Sequence, residues 1–207
     1  MVVLDGDNMS VDTKSKYRKL ESEYKELGRL SQVKVCPVTV SNKGLINLYT
    51  ANALSSIMFM AGWHNIPCQE WRVYDHHPIS YARNMAVQEF LEDKNNTHLL
   101  FIDDDMIPPV DLIMRLLHHN KLVVSGWYNA RSGSGLPVVF KRVKDGWVNY
   151  KEVSKEGLLM VDGVGAGCLM IKREVFEILD TKEPFKEFYS KEYGQKHMGE
   201  DLYFSDL

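Results

Sequence analysis

Three cysteines among 207 residues, Cys36, Cys68 and Cys168, are odd in number, widely spaced and without a C-x-x-C or Cys/His ligand spacing. They argue against a disulfide scaffold and predict reduced, buried thiols. No window reaches the roughly 18 apolar residues of a membrane-spanning helix, and the acidic start MVVLDGDNMS lacks an apolar leader core. The expectation is a soluble, unsecreted, cytoplasmic protein with no membrane span. Nor does one sign of charge dominate: 25 Lys+Arg face 28 Asp+Glu, a net charge of -3. A global field that attracts nucleic acid or anionic lipid is therefore absent. The length suits one full-sized core.

What is present centres on Leu99-Leu100-Phe101-Ile102-Asp103-Asp104-Asp105-Met106-Ile107-Pro108-Pro109, an apolar run that ends in three carboxylates and two prolines. A buried strand that delivers acids to a sheet edge has this form. Three adjacent acids repel one another, and a divalent cation relieves that repulsion. Because side chains alternate along an extended segment, Asp103 and Asp105 point to one side and Asp104 to the other, so the i, i+2 pair can share a metal. Mg2+ and Mn2+ take a few carboxylate oxygens and complete their shell with water and phosphate. The alternative is a solvated acidic turn after a strand.

Upstream, Asp5 and Asp7 lie in a D-G-D sequence whose apolar lead is too short for the buried strand a phosphatase-type site needs. Tyr17, Leu20, Tyr24 and Leu27 form one apolar stripe over 14–27, and Gly28 supplies a stop. A helix there suits packing on the domain or on a second copy of the chain. A strand is expected over Val33 to Val40, then a helix over Leu45 to Ala61 with Leu45, Leu48, Ala51, Ile57 and Met60 buried and Gly62 closing it, and a second strand over Ile66 to Tyr74. Adjacent His76 and His77 face opposite ways and do not suit one shared metal. A helix from Ile79 to about Asp93 carries Arg83 in its opening. A cation there has the wrong sign for the helix dipole, so it either meets an anion such as phosphate or pairs with a protein acid.

A short helix to His119 and a strand over Lys121 to Gly126 follow. Trp127, Tyr128 and Arg131 then stand where open α/β sheets bind ligands, or else are core aromatics and a surface cation. Ser132-Gly133-Ser134-Gly135 is a turn. Pro137 to Tyr150 and Glu152 to Val161 alternate as antiparallel strands with a turn at Asp145-Gly146, and this change of period suggests a parallel half followed by a mixed or antiparallel half. Three alternate glycines, Gly163, Gly165 and Gly167, precede a strand and permit close backbone approach. A helix follows from Lys172 to Leu179. Gly199-Glu200-Asp201 marks a final helix N-terminus.

Taken in order, Pro37-Val38-Thr39, Ala82-Arg83-Asn84, Phe101-Ile102-Asp103-Asp104-Asp105, Gly163 to Leu169 and Gly199-Glu200-Asp201 resemble the landmarks of GT-A nucleotide-sugar glycosyltransferases of the family 2-like group, especially small phage and bacterial forms. The resemblance implies a Rossmann-like three-layer α/β fold with a mixed central sheet, parallel in its N-terminal half and antiparallel in its C-terminal half. It implies a helical extension over 1–30 and a transferase domain over 31–207. It further implies sugar transfer, with inversion, from a nucleotide-diphosphate donor, a UDP-sugar being expected, to a hydroxyl of a glycan, protein or modified base.

In that scheme Thr39, Arg83, Asp103 and Asp104 face the donor and Asp103 and Asp105 hold Mn2+ or Mg2+. Asp201 is the base, and Glu200 orients the acceptor or caps the helix. Two departures stand out. Asp75-His76-His77 replaces a D-x-S-x-D loop, and the chain stops before the later histidine that completes the metal shell; His197 lies upstream of the acids. A C-terminally truncated domain, and a homo-oligomer built through the N-terminal helix, are the matching expectations. The competing readings are a non-catalytic carbohydrate-binding or assembly protein on the same scaffold and a sugar-phosphate nucleotidyltransferase, although Ser41-Asn42-Lys43-Gly44 lacks the glycine- and arginine-rich phosphate loop of the latter.

Overall fold

A computed structural model describes residues 32–41, 43–75, 78–130, 135–144, 146–153, 157–179, 181, 183–189 and 197–207. The N-terminal stripe, the D-G-D acids, His76, His77, the turn over 131–134 and Asp145 lie outside the described residues.

β-Branched Val35–Val40 (β1) pairs in parallel with Arg72–Tyr74 (β2) on one side and His98–Ile102 (β3) on the other. Cys168–Lys172 (β8) runs antiparallel to β3 and to Val123–Ser125 (β4), which gives the order β2-β1-β3-β8-β4. The sheet is thus mixed, its parallel part N-terminal and its antiparallel part C-terminal. Val139–Val143 (β5) joins Gly146–Asn149 (β6) and Gly163–Val164 (β7) in a small antiparallel sheet. Phe188–Tyr189 (β9) and His197–Met198 (β10) form an antiparallel pair.

Alternation along the central strands divides the core in two. Val35, Leu100, Ile102, Cys168 and Met170 face Leu48–Trp63 (α1) and Leu112–His118 (α3). Cys36, Val38, Leu99, Phe101, Leu169 and Ile171 face Ile79–Glu92 (α2), Arg173–Leu179 (α4) and Phe204 of Glu200–Asp206 (α5). Helices on both faces explain why β3 is buried at all five positions, four of them apolar and the first His98. The three cysteines are free, and burial pushes the thiols of Cys36 and Cys168 up to about 12 and that of Cys68 to about 11.

Some local expectations give way. α1 starts at Leu48, where the Asn47 side chain accepts the Tyr49 N–H at 2.9 Å, so Leu45 and Leu48 stay exposed rather than buried. Gly62 lies inside the helix, and the chain leaves it through Asn65 in the left-handed region at φ 54°. The described part of Glu152 to Val161 forms no strand. Met160 is 74% exposed there, so the alternation has no second layer to bury it, and the short glycine strand β7 takes the place beside β5. Among the described residues no helix is long and apolar enough to cross a membrane.

Candidate functional site

The carboxylate run leaves the sheet as a turn. β3 stops at Ile102, the Asp103 N–H continues the ladder to the Gly167 carbonyl at 3.0 Å, and the Met106 N–H returns to the Asp103 carbonyl at 3.2 Å. Asp104 and Asp105 are therefore turn residues, and the period-two argument that put Asp103 and Asp105 on one side does not apply to them. All three are half-buried. The Asn47 N–H binds the Asp104 carbonyl at 3.1 Å, which fastens the start of α1 to this turn.

Arg83 gathers the site. The α2 face that carries it is inward, and its side chain is 3% exposed. Its guanidinium donates to Asp103 Oδ1 at 2.9 Å, to the Ala166 carbonyl at 3.3 Å and to Glu200 Oε1 at 3.4 Å. It also lies over Phe101 at 5.1 Å and near Phe185 at 6.0 Å from the ring centroids. Burial opposes its charge, but Asp103 and Glu200 outweigh burial and hold it in the charged form. Of the two readings of Arg83, the structure supplies protein acids as its anions, and both are half-buried. The neighbouring Asn84 clamps Phe185 through both backbone groups, at 2.8 and 3.0 Å. Phe185 in turn stacks on Phe204 of α5 at 4.9 Å. One turn of α2 thus fixes both the end of β3 and the start of α5.

Gly199 caps α5 with extended backbone at φ -64°, and Glu200 and Asp201 occupy its first turn, where carboxylates suit the helix dipole. Asp201 Oδ1 accepts the Leu202 N–H at 2.8 Å. Burial first and Glu200 second push the Asp201 carboxyl up to about 6, against the Leu202 N–H and Arg83, which pull it down. A base that titrates near neutrality is suited to taking a proton from a hydroxyl.

Tyr128 closes the wall beneath these acids. Its hydroxyl accepts the Gly167 N–H at 2.9 Å, and burial, followed by Asp103, pushes the phenol upward so that it stays protonated. Two of the alternate glycines, Gly165 and Gly167, seat it, while Gly163 faces Trp147 and Leu202. A Cβ on Gly167 would stand 2.7 Å from Tyr128 Cζ and 3.0 Å from Asp103 Oδ2, and one on Gly165 would meet the Tyr128 hydroxyl and stand 2.6 Å from Val138 Cγ1. Gly165→Ala should therefore lower stability by about 1–3 kcal/mol through overpacking. A urea midpoint equal to that of the parent chain would contradict the packing just described.

The chain is similar in fold to A197 from STIV. The match has 22% identity and a TM-score of 0.51 and covers 84% of this chain and 76% of A197. At that identity A197 bears on the fold alone. No family model and no curated protein matches the chain.

Of the residues singled out beforehand, Arg83, Asp103, Glu200 and Asp201 come together. Thr39 does not join them: it is fully buried in β1, and its hydroxyl accepts the Trp71 indole N–H at 3.1 Å. Asp104 and Asp105 stand on the turn beside the group. Among the described residues no three His, Cys, Asp or Glu side chains are grouped to hold a metal. Asp103 spends one oxygen on Arg83, so a cation here would rest on few carboxylate oxygens and draw the rest of its shell from water and ligand, as Mg2+ and Mn2+ do. Asp103 and Asp105 offer oxygen donors of the kind such an ion takes, and the turn rather than strand period sets how far apart they stand. Phe185 carried no signal in the sequence beyond one aromatic in a charged stretch, and Asn84 was legible only as part of the Ala82-Arg83-Asn84 landmark, not as the clamp on Phe185.

Proposed function

We propose that the chain is a metal-dependent glycosyltransferase of the GT-A type, moving a sugar from a nucleotide-diphosphate donor, a UDP-sugar first among them, to an acceptor hydroxyl with inversion. One observation carries the reading: buried Arg83 ties the acid at the end of the central strand to the acid pair that opens α5, at a C-terminal sheet edge of the kind where open α/β folds bind ligands. Glycosyl transfer needs a carboxylate to deprotonate the acceptor and an anion-tolerant corner for the departing diphosphate.

In this mechanism Asp201 accepts the proton of the acceptor hydroxyl as that oxygen bonds to the anomeric carbon. The bond from that carbon to the donor oxygen breaks, and its electron pair leaves with the nucleoside diphosphate. Glu200 acts as a positioning residue: it takes the Arg83 Nε–H and keeps Asp201 basic by its own charge. Arg83 orients Asp103 and Glu200 and is too buried to lie along a phosphate. A cation held by Asp103 and Asp105 would neutralise charge on the diphosphate. The acceptor is a glycan, a protein or a modified base.

Calorimetry with UDP and GDP, with and without Mn2+, followed by a donor-hydrolysis panel of nucleotide sugars, tests the reading. Metal-dependent heat with UDP or GDP is expected, and Asp105→Ala should reduce that affinity about tenfold or more, as loss of a ligand or its support does. Heat with free sugars and none with nucleotide would replace the transferase by a carbohydrate-binding scaffold.

A further inference from the structure

α1 carries a face that no described residue covers. Leu48, Tyr49, Phe59 and Trp63 are exposed by 72%, 68%, 66% and 72%, while Thr50, Leu54, Ile57 and Ala61 on the opposite face are buried. Leu48, Asn52, Ser55, Phe59 and Gly62 recur at alternating four- and three-residue steps, so they form one straight seam along the helix, with Tyr49 and Trp63 on its flank. Phe59 and Trp63 lie 6.1 Å apart between ring centroids and close one end of the seam as a joined aromatic surface. A Cβ on Gly62 would meet nothing within 4 Å, so the seam is open beside that pair. The Ser55 hydroxyl donates to the Ala51 carbonyl at 3.0 Å and needs no water.

We propose that this face binds the same face of a second copy of the chain, the two α1 helices crossing antiparallel about a two-fold axis at Ser55. The inference stands apart from glycosyl transfer and holds whatever the chain catalyses. Self-complementarity selects this occupant first. In an isologous pair residue i meets j and j meets i, and Ser55 stands midway between Leu48 and Gly62. Leu48 of each copy therefore falls on the open Gly62 and on Trp63 of the other, and Asn52 falls against Phe59. The small Ser55 side chains let the helix axes approach at the centre. Large side chains thus meet small ones along the seam, as ridges meet grooves.

Charge selects it second. From Gly44 to Gln69 the chain has no Asp, Glu, Lys or Arg, although 26% of all its residues are charged and about seven charges would be expected over such a length. A solvent-facing helix normally carries these groups, and an acidic or basic partner finds none here to pair with. Nor does α1 have the Lys and Arg that hold an amphipathic helix to an anionic bilayer. A second copy brings an equally neutral face, so no charge is buried or opposed. Area is the third argument. At roughly 150–250 Å2 for a whole aromatic side chain, Tyr49, Phe59 and Trp63 together offer on the order of 400 Å2. With Leu48 and the small seam residues, two copies bury about 1,000 Å2 in total, the low end of specific interfaces. The dimer is therefore a dissociable one.

Sedimentation equilibrium of the full chain tests this. A monomer–dimer equilibrium with a Kd of about 1–100 µM is expected. Phe59→Glu should weaken it at least about tenfold by placing a charge in the seam, and because Phe59 is exposed the variant should keep the urea midpoint of the parent chain. Ser55→Cys, oxidised with diamide, should yield a disulfide-linked dimer, since the two-fold axis brings the two copies of that position together. The same cysteine at exposed Glu70, outside the seam, should not link. A monomer throughout, a dimer that Phe59→Glu leaves unchanged, or equal linking at positions 55 and 70 would overturn the proposal. A monomer that cosediments with phosphatidylcholine vesicles until Phe59→Glu is introduced would give the face to a bilayer and overturn it equally.

Discussion

Asp201→Asn is expected to cut sugar transfer by about 10²- to 10⁴-fold, the usual worth of a general base, while making the protein more stable at pH 7. The stability part follows from the Asp201 carboxyl, whose folded-state value of about 6 lies above its ordinary 3.8. The folded protein therefore holds this proton more tightly than the unfolded chain does. That advantage is complete below about pH 4 and disappears as pH rises through about 6, when a half-buried carboxylate must carry its charge beside Glu200. A shift of this size is worth roughly 1–3 kcal/mol.

Asparagine stays neutral, keeps an oxygen for the Leu202 N–H and removes the loss. Urea unfolding at pH 4 and pH 7 should show the parent chain losing stability between the two relative to the variant. Parallel pH dependence in both proteins would mean that the carboxyl is not strained as described, and full transfer activity in the variant would remove Asp201 from the reaction.

Arg83→Met should destabilise the chain by about 3–5 kcal/mol, because it leaves Asp103 and Glu200 facing a site built around a buried cation. Adding Asp103→Asn and Glu200→Gln should return much of the loss, since a buried ion network replaced as a whole is often nearly neutral. Arg83→Lys should not restore the parent stability: one ammonium cannot hold the Asp103, Ala166 and Glu200 oxygens that the planar fork reaches. Urea midpoints of the four proteins measure this. A loss under 1 kcal/mol for Arg83→Met would show that the ion network does not hold the end of β3 to α5.

The elements were legible where the pattern is local. The four apolar residues of β3, the β-branched run of β1, the Gly199-Glu200-Asp201 opening of α5 and the change from parallel to antiparallel pairing all follow from period, cap and turn chemistry. The site was legible as residues and not as contacts. Arg83 is anomalous by sequence because a cation opens a helix, and the anomaly is real. Its resolution by Asp103, twenty residues on, and Glu200, 117 residues on, is a matter of packing. Thr39 reads as polar at a ligand-binding strand end, yet the Trp71 indole takes its hydroxyl inside the core.

The order of apolar, β-branched, glycine and acidic residues determined by itself that this chain forms a mixed α/β sheet with carboxylates at the end of its central strand, because side-chain period and backbone preference act within a few residues. Only the tertiary structure decided that those carboxylates leave on a turn, that one buried guanidinium joins Asp103 to Glu200 of α5, and that Tyr128 fills the space Gly165 and Gly167 leave. These outcomes depend on which groups lose water together, and desolvation is set by every element that closes over a site rather than by the segment that carries it.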